Sequence, residues 1–141
     1  MDAKEIITLS VQAIINAPID IVWKNWTEPE TITRWNYASD DWHTPWAKND
    51  LRVGGKFVSR MEAKDGSFGF DFEGIYDAVI TNEHIEYHLG DGRKVKITFS
   101  EKAKETKVIE VFDAETTNPI ELQRQGWQAI LDNFKKYTEA Y

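Results

Sequence analysis

Residues 118–137 read NPIELQRQGWQAILDNFKKY. Ile120, Trp127, Ile130, Leu131, Phe134 and Tyr137 recur at helical spacing and mark one face of a long helix. Asn118 is the expected cap, Pro119 the first helical residue, and Glu121 stands three residues after the cap. A helix with one apolar stripe has to lay that stripe on something, and the rest of the chain has to supply it.

Working back from the helix, the chain from Leu51 to Asp113 is patterned for strands. Expected strands are Lys56–Met61, Phe68–Ile80, Ile85–Leu89, Lys94–Glu101 and Lys107–Asp113, with Asp65-Gly66 and Gly90-Asp91-Gly92 as hairpin turns. Near the start, Ile7, Leu9, Val11, Ala13 and Ile15 alternate with polar residues, the mark of a half-buried strand. Asn16-Ala17-Pro18 stops that strand, and Pro18 suits the first turn of a short helix reaching about Trp26. Thr27 and Glu30 have the spacing of a capping box for a second short helix ending near Trp35. Residues 36–50 read as a long connection, and connections of that length often serve function. The order implies an α+β fold: a curved, mostly antiparallel six-stranded sheet around one C-terminal helix, with two short helices after the first strand.

The 141 residues suit a single domain, 1–141, large enough to bury one core without staples. Cysteine is absent, which excludes disulfides and thiolate metal sites. The net charge of −7, with Lys and Arg scattered, disfavours nucleic acid and anionic membranes as partners. Met1–Glu5 lack the apolar run of a leader and no stretch is apolar enough to span a membrane, so a cytoplasmic location is expected. Asn25-Trp26-Thr27 matches a glycosylation sequon and is read as chance. Of the six tryptophans, Trp23, Trp26, Trp35, Trp42 and Trp46 fall in one short stretch and Trp127 on the terminal helix. So much flat apolar surface belongs either in a core or on the wall of a pocket.

This order, with particular residues, resembles the helix-grip domains of the START-like superfamily. Those residues are Ala17-Pro18 through Val22-Trp23, then Trp26-Thr27-Glu28-Pro29-Glu30 with Trp35, then Gly54-Gly55-Lys56-Phe57, Phe72-Glu73-Gly74 and Gly126-Trp127. More closely, the chain is similar to the branch named after the activator of the ninety-kilodalton heat-shock protein ATPase. The resemblance covers essentially the whole chain. It implies a cavity, often apolar, between the concave sheet face and the long helix. It does not imply one function, because the superfamily includes ligand carriers, cyclase-like proteins, self-sacrificing resistance proteins and a co-chaperone domain.

Strand alternation places Phe57, Ser59 and Met61 on one face, and likewise Phe68, Phe70, Phe72, Gly74 and Tyr76. Ile85, Tyr87 and Leu89 form a third such set, and Val95, Ile97 and Phe99 a fourth. These sets read as packed core or, given the many rings and the adaptable Met61, as the wall of an apolar pocket. The expected wall is Phe57, Met61, Phe70, Phe72, Tyr76, Tyr87, Phe99, Trp127 and Ile130, and the expected mouth is Trp35, Trp42, His43 and Trp46. Gly74 and Gly126 leave room, either for close packing or for a guest. Gln123, on the helix stripe, is read as pointing at the sheet, where its amide needs a strand group, a water or a ligand oxygen.

Asp40-Asp41-Trp42-His43 is foremost a turn, with ligand contact or a base or cation site built on Asp41 and His43 as the sharper readings. His84, Glu86 and His88 alternate along one strand as a metal site might, but with Ile85, Tyr87 and Leu89 opposite they read as a solvated face beside Lys94, Lys96 and Thr98. Glu110 has apolar residues on both sides of its strand, so the pattern leaves its direction open; turned inward it would need Arg60, Arg93 or a ligand as partner. The chain has no G-x-S-x-G, no cysteine nucleophile, no P-loop and no G-x-G-x-x-G, so nothing specifies a hydrolase, kinase or dinucleotide enzyme, and no cofactor or metal is expected. The leading expectation is a module holding a small hydrophobic or aromatic molecule of lipid, quinone or polyketide type, as monomer or homodimer. The rivals are a regulator of a chaperone ATPase and a cyclase- or hydrolase-like enzyme using Asp41, His43 or Glu110.

Overall fold

The computed structural model describes residues 6–140, so the reading of Met1–Glu5 lies outside the described residues. β1 (Thr8–Ile15) leads into α1 (Ile19–Thr27) and α2 (Pro29–Trp35). Then come β2 (Trp42–His43), β3 (Ala47–Asn49), β4 (Lys56–Ala63), β5 (Gly69–Ile80), β6 (His84–Leu89), β7 (Lys94–Lys102), β8 (Glu105–Asp113) and α3 (Ile120–Glu139). The strands form one antiparallel sheet in the order β1-β8-β7-β6-β5-β4-β2, with β3 also on β4. The expected α+β helix-grip architecture is present. Its sheet has eight strands rather than six, because the connection over 36–50 contributes β2 and β3. Strands of two and three residues are too short to show alternation.

The helix ends differ from the sequence reading. α3 begins one residue later than expected: Pro119 holds the N-cap position with extended backbone, and Asn118 does not cap. The loop before it is closed instead by the Glu115 carboxylate, which accepts from the Thr117 and Asn118 amides. At α2 the cap position falls to Glu28, and the Thr27 hydroxyl bonds back to the Trp23 carbonyl at 2.8 Å, so no capping box forms. Pro18 at the head of α1 has no side-chain oxygen to offer, and the Ile19 amide is met by Glu101 from β7 at 2.9 Å. That carboxylate sits where the helix dipole favours an anion.

The inner face of β8 carries Thr106, Val108, Glu110 and Phe112, all buried. Across the sheet each joins a row, such as Tyr76, Tyr87, Val95, Phe112 and Leu9. A bulge in β5 between Tyr76 and Ala78 brings Tyr76 and Val79 to the same core cluster although they are three residues apart. α3 lies over β1 and buries Leu131 and Phe134 completely. α1 and α2 close one end, bound by Asn25, whose side chain donates to the Thr138 hydroxyl at 3.2 Å and whose carbonyl accepts from the Trp35 indole at 3.0 Å. Asn25 is buried in that joint, which agrees with reading the sequon as chance.

Candidate functional site

Between the concave sheet face and α3 lies a cavity of about 250 Å³. β4 lines it with Phe57, Ser59 and Met61, and β5 with Phe70, Phe72 and Tyr76. β6, β7 and β8 add Ile85, Tyr87, Ile97 and Glu110, and α3 closes it with Trp127 and Ile130. The alternation read from the strands therefore delivered the wall: every expected wall residue lines the cavity except Phe99. That ring is buried against Trp23 and Trp26 at the closed end, 5.3 and 5.8 Å away. Trp26, Ile32, Asn36, Lys48 and Asn49 also line the cavity and were not anticipated. They come from the two short helices and the connection, where the sequence gives no face to read.

The expected mouth does not hold together. Trp35 is buried and belongs to the wall. Trp42 packs on the outer rings of Phe68 and Phe70, 5.9 and 6.2 Å away, and Trp46 lies half exposed beneath Lys48. His43 stands at the surface 3.8 Å from Glu62. None of Trp42, His43 and Trp46 lines the cavity, although Lys48 and Asn49 of the same segment do: His43 pairs with Glu62 on the outward face of β4, and Trp42 stops against Phe70. Asp41 accepts from Ser39 at 2.5 Å and its carbonyl accepts from the Lys64 amide, so it serves the turn and does not meet His43.

Gln123 is a correction. Its side-chain oxygen accepts from the Glu115 amide at 2.8 Å, and its nitrogen donates to the carbonyls of Glu115 and Asn118. It ties the 113–119 loop to α3 and does not line the cavity. The solvated reading of the histidines agrees with the structure: His84 pairs with Glu86, His88 with Asp77, and their cross-strand neighbours are Thr98, Lys96 and Lys94. Among the described residues no cluster of histidines and carboxylates could hold a metal ion.

Gly74 and Gly126 part ways. A Cβ at Gly74 would stand 2.8 Å from the Phe57 ring, so this glycine serves close packing. At Gly126 a Cβ would meet nothing within 4 Å. Next to it, Trp127 stacks face to face on Phe112, with centroids 3.9 Å apart and planes at 9°. Such a pair adds about 0.5–1.5 kcal/mol beyond area burial and fixes the ring that roofs the cavity.

Glu110 points inward. Its inner-face row runs Ile85, Ile97, Glu110 and Val11, so a single carboxyl stands in an otherwise apolar line. Neither arginine offered by the sequence reaches it: Arg60 is held by Glu62 and Asp71, and Arg93 by Asp91. Burial with no cation beside it pushes the Glu110 carboxyl up to about 8, so it is protonated at neutral pH. Burial also raises the phenols of Tyr76 and Tyr87, the latter further raised by Glu110. Tyr76 donates to the Asn49 side-chain oxygen at 2.6 Å, and the Asn49 amide donates to the Thr27 carbonyl at 2.7 Å, pinning this side of the wall to the end of α1.

The family model described as "Activator of Hsp90 ATPase homolog 1-like protein" matches residues 16–139. The chain belongs to this family. Family membership accounts for the shared helix-grip plan seen in solved structures. The AHSA1-like protein from Aeromonas hydrophila is 46% identical, with a TM-score of 0.89 over 95% of this chain and 93% of that one. A protein from Cytophaga hutchinsonii is 53% identical, with a TM-score of 0.82 over 94% and 92%. A protein from Nitrosomonas europaea, 18% identical with a TM-score of 0.80 over 94% of both chains, shares the fold alone. No curated protein matches the chain. Among the described residues no helix is long and apolar enough to cross a membrane.

Proposed function

We propose that this protein binds a small hydrophobic or aromatic molecule in the cavity between its sheet and its terminal helix. The observation that carries this is a void of about 250 Å³ ringed by Phe57, Phe72, Tyr87, Trp26 and Trp127, in a family whose fold commonly holds apolar ligands. Concave, mostly apolar sites with a few placed polar groups are where small molecules bind. Trp26, Trp35 and Trp127 line the void, so a guest alters indole emission. Titration with a panel of lipids, quinones and aromatic polyketides should change that emission saturably, and native mass spectrometry should show a one-to-one complex. No change across the panel, with no bound species, would reject the reading.

A second reading rests on a different observation. Trp42, Phe68 and Phe70 form an aromatic trio on the sheet edge, with Phe68 60% exposed. The family description names activation of a chaperone ATPase, and an exposed ring cluster suits a protein contact. Here Phe68→Ser would abolish stimulation of a chaperone ATPase while Phe72→Ala left it intact. Absence of any stimulation would dismiss this second role.

A further inference from the structure

Three buried polar side chains on the cavity wall, Ser59, Tyr87 and Glu110, have no hydrogen-bond partner among the described residues, and the latter two stand on neighbouring rows. Glu110 and Tyr87 are 5% and 7% exposed, and among the described residues no hydrogen bond or ion pair reaches the Glu110 carboxyl or the Tyr87 hydroxyl. Yet among the described residues no polar side-chain atom is sealed from solvent without a partner, so both groups open on the void rather than being shut into the core. They sit on β8 and β6 with only β7 between, so their strands are roughly 10 Å apart. The remaining titratable groups lining the cavity are Tyr76 and Lys48. The Tyr76 hydroxyl donates its hydrogen bond to the Asn49 oxygen, whereas the Tyr87 hydroxyl has no acceptor among the described residues.

We infer that Glu110 and Tyr87 form a donor pair for a ligand oxygen, and that the cavity selects neutral aromatic ketones, enones or quinones over the matching hydrocarbons. This rests on the cavity being a binding site. A protonated carboxyl and a phenol each have one O–H to give, and a carbonyl oxygen has two lone pairs to receive them. Inside an apolar wall these bonds face little competition from water, while a hydrocarbon guest would leave both donors desolvated and unmade. An amine would take the Glu110 proton and bury an ion pair, whose desolvation cancels much of its attraction. A carboxylate guest held at Glu110 and Tyr87 would bring charge into an apolar part of the wall, because Lys48, the lining cation among the described residues, stands on β3 over the Trp46 ring.

The test compares 9-fluorenone with fluorene, rigid tricycles that differ by one carbonyl oxygen. Affinities come from calorimetry, and the carbonyl stretch of bound fluorenone from infrared difference spectra. The wild type should bind fluorenone at least tenfold more tightly than fluorene and shift the stretch to lower frequency. Glu110→Leu should erase both the preference and most of the shift, and Tyr87→Phe should reduce each in part. Glu110→Gln, which keeps an N–H donor, should keep the preference. In the wild type alone the preference should fall as pH passes about 8 and the Glu110 proton is lost. Equal binding of the two tricycles, or a preference intact in Glu110→Leu/Tyr87→Phe, would overturn this inference and leave the binding site standing. Binding of neither, together with a silent ligand panel, would overturn the site as well.

Discussion

The two ends of the groove under α3 are built from the same material and finished differently. At the end closed by α1 and α2, Trp26, Trp35 and Phe134 stand 4.8–5.0 Å apart, and Trp23 meets Phe99 at 5.3 Å. At the other end Phe57 grips Tyr87 at 4.6 Å, but Phe72 lies 6.3 Å from Trp127 and 6.5 Å from Tyr87. The first set packs ring on ring, with Trp26 and Trp35 turning one side to the void; the second encloses the rest of it. The difference comes from what plugs the groove: two short helices at one end, and at the other only side chains leaning from the sheet. Ring content therefore does not distinguish core from pocket. The wide spacing around Phe72 and the unpaired polar atoms near it do.

That contrast can be broken experimentally, beginning where the effect is largest. Phe134→Ala empties a fully buried site among close rings and should cost about 3–5 kcal/mol in urea unfolding. Glu110 comes next, through pH. Its folded-state carboxyl titrates near 8 against an ordinary value of 4.5, so its proton is held more tightly when folded. The associated stability is fully present below about pH 4.5 and is lost as pH rises through 8. Relative to Glu110→Gln, the wild type should lose on the order of 3–4 kcal/mol between pH 5 and 9, read from unfolding curves across that range. Phe72→Ala, at the void, should cost only about 1–2 kcal/mol while weakening ligand binding severalfold. A loss equal to that of Phe134→Ala would erase the distinction between the two ends.

Smaller still, Gln123→Ala should cost about 1 kcal/mol by freeing the loop, with ligand affinity unchanged. His43→Ala should stay within about 0.5 kcal/mol and leave binding unaltered, since its one carboxylate neighbour is a surface contact.

Much of this was legible in the chain. The stripe from Ile120 to Tyr137 and the two-residue alternation of Phe57 to Met61 and Phe70 to Tyr76 determine which faces meet, so helix, sheet and most of the wall followed. Phe99 was misplaced because alternation gives a face and not a position along the groove, and its position puts it under α1. Gln123 shared the stripe, but at the first turn of the helix its amide serves the neighbouring loop. The tryptophans of the 36–50 connection read as a rim because nothing in so short a segment betrays pairing; pairing with β4 sets Trp42 opposite Ala63 and against Phe70, off the lining, and leaves Trp46 half exposed. For Glu110 the sequence was silent: with apolar neighbours on both sides, only the register with Val11 and Ile97 shows which way it turns.

Gly126 adds a mechanical consequence. Mid-helix glycine forfeits about 1 kcal/mol relative to alanine, and here no neighbour demands it. The helix over the cavity thus carries its softest backbone link immediately before the indole that roofs the void. The opposite wall is bolted through Tyr76 and Asn49. Strain from an oversized occupant would accordingly be relieved upward, by flexing the rod, while the floor keeps its shape.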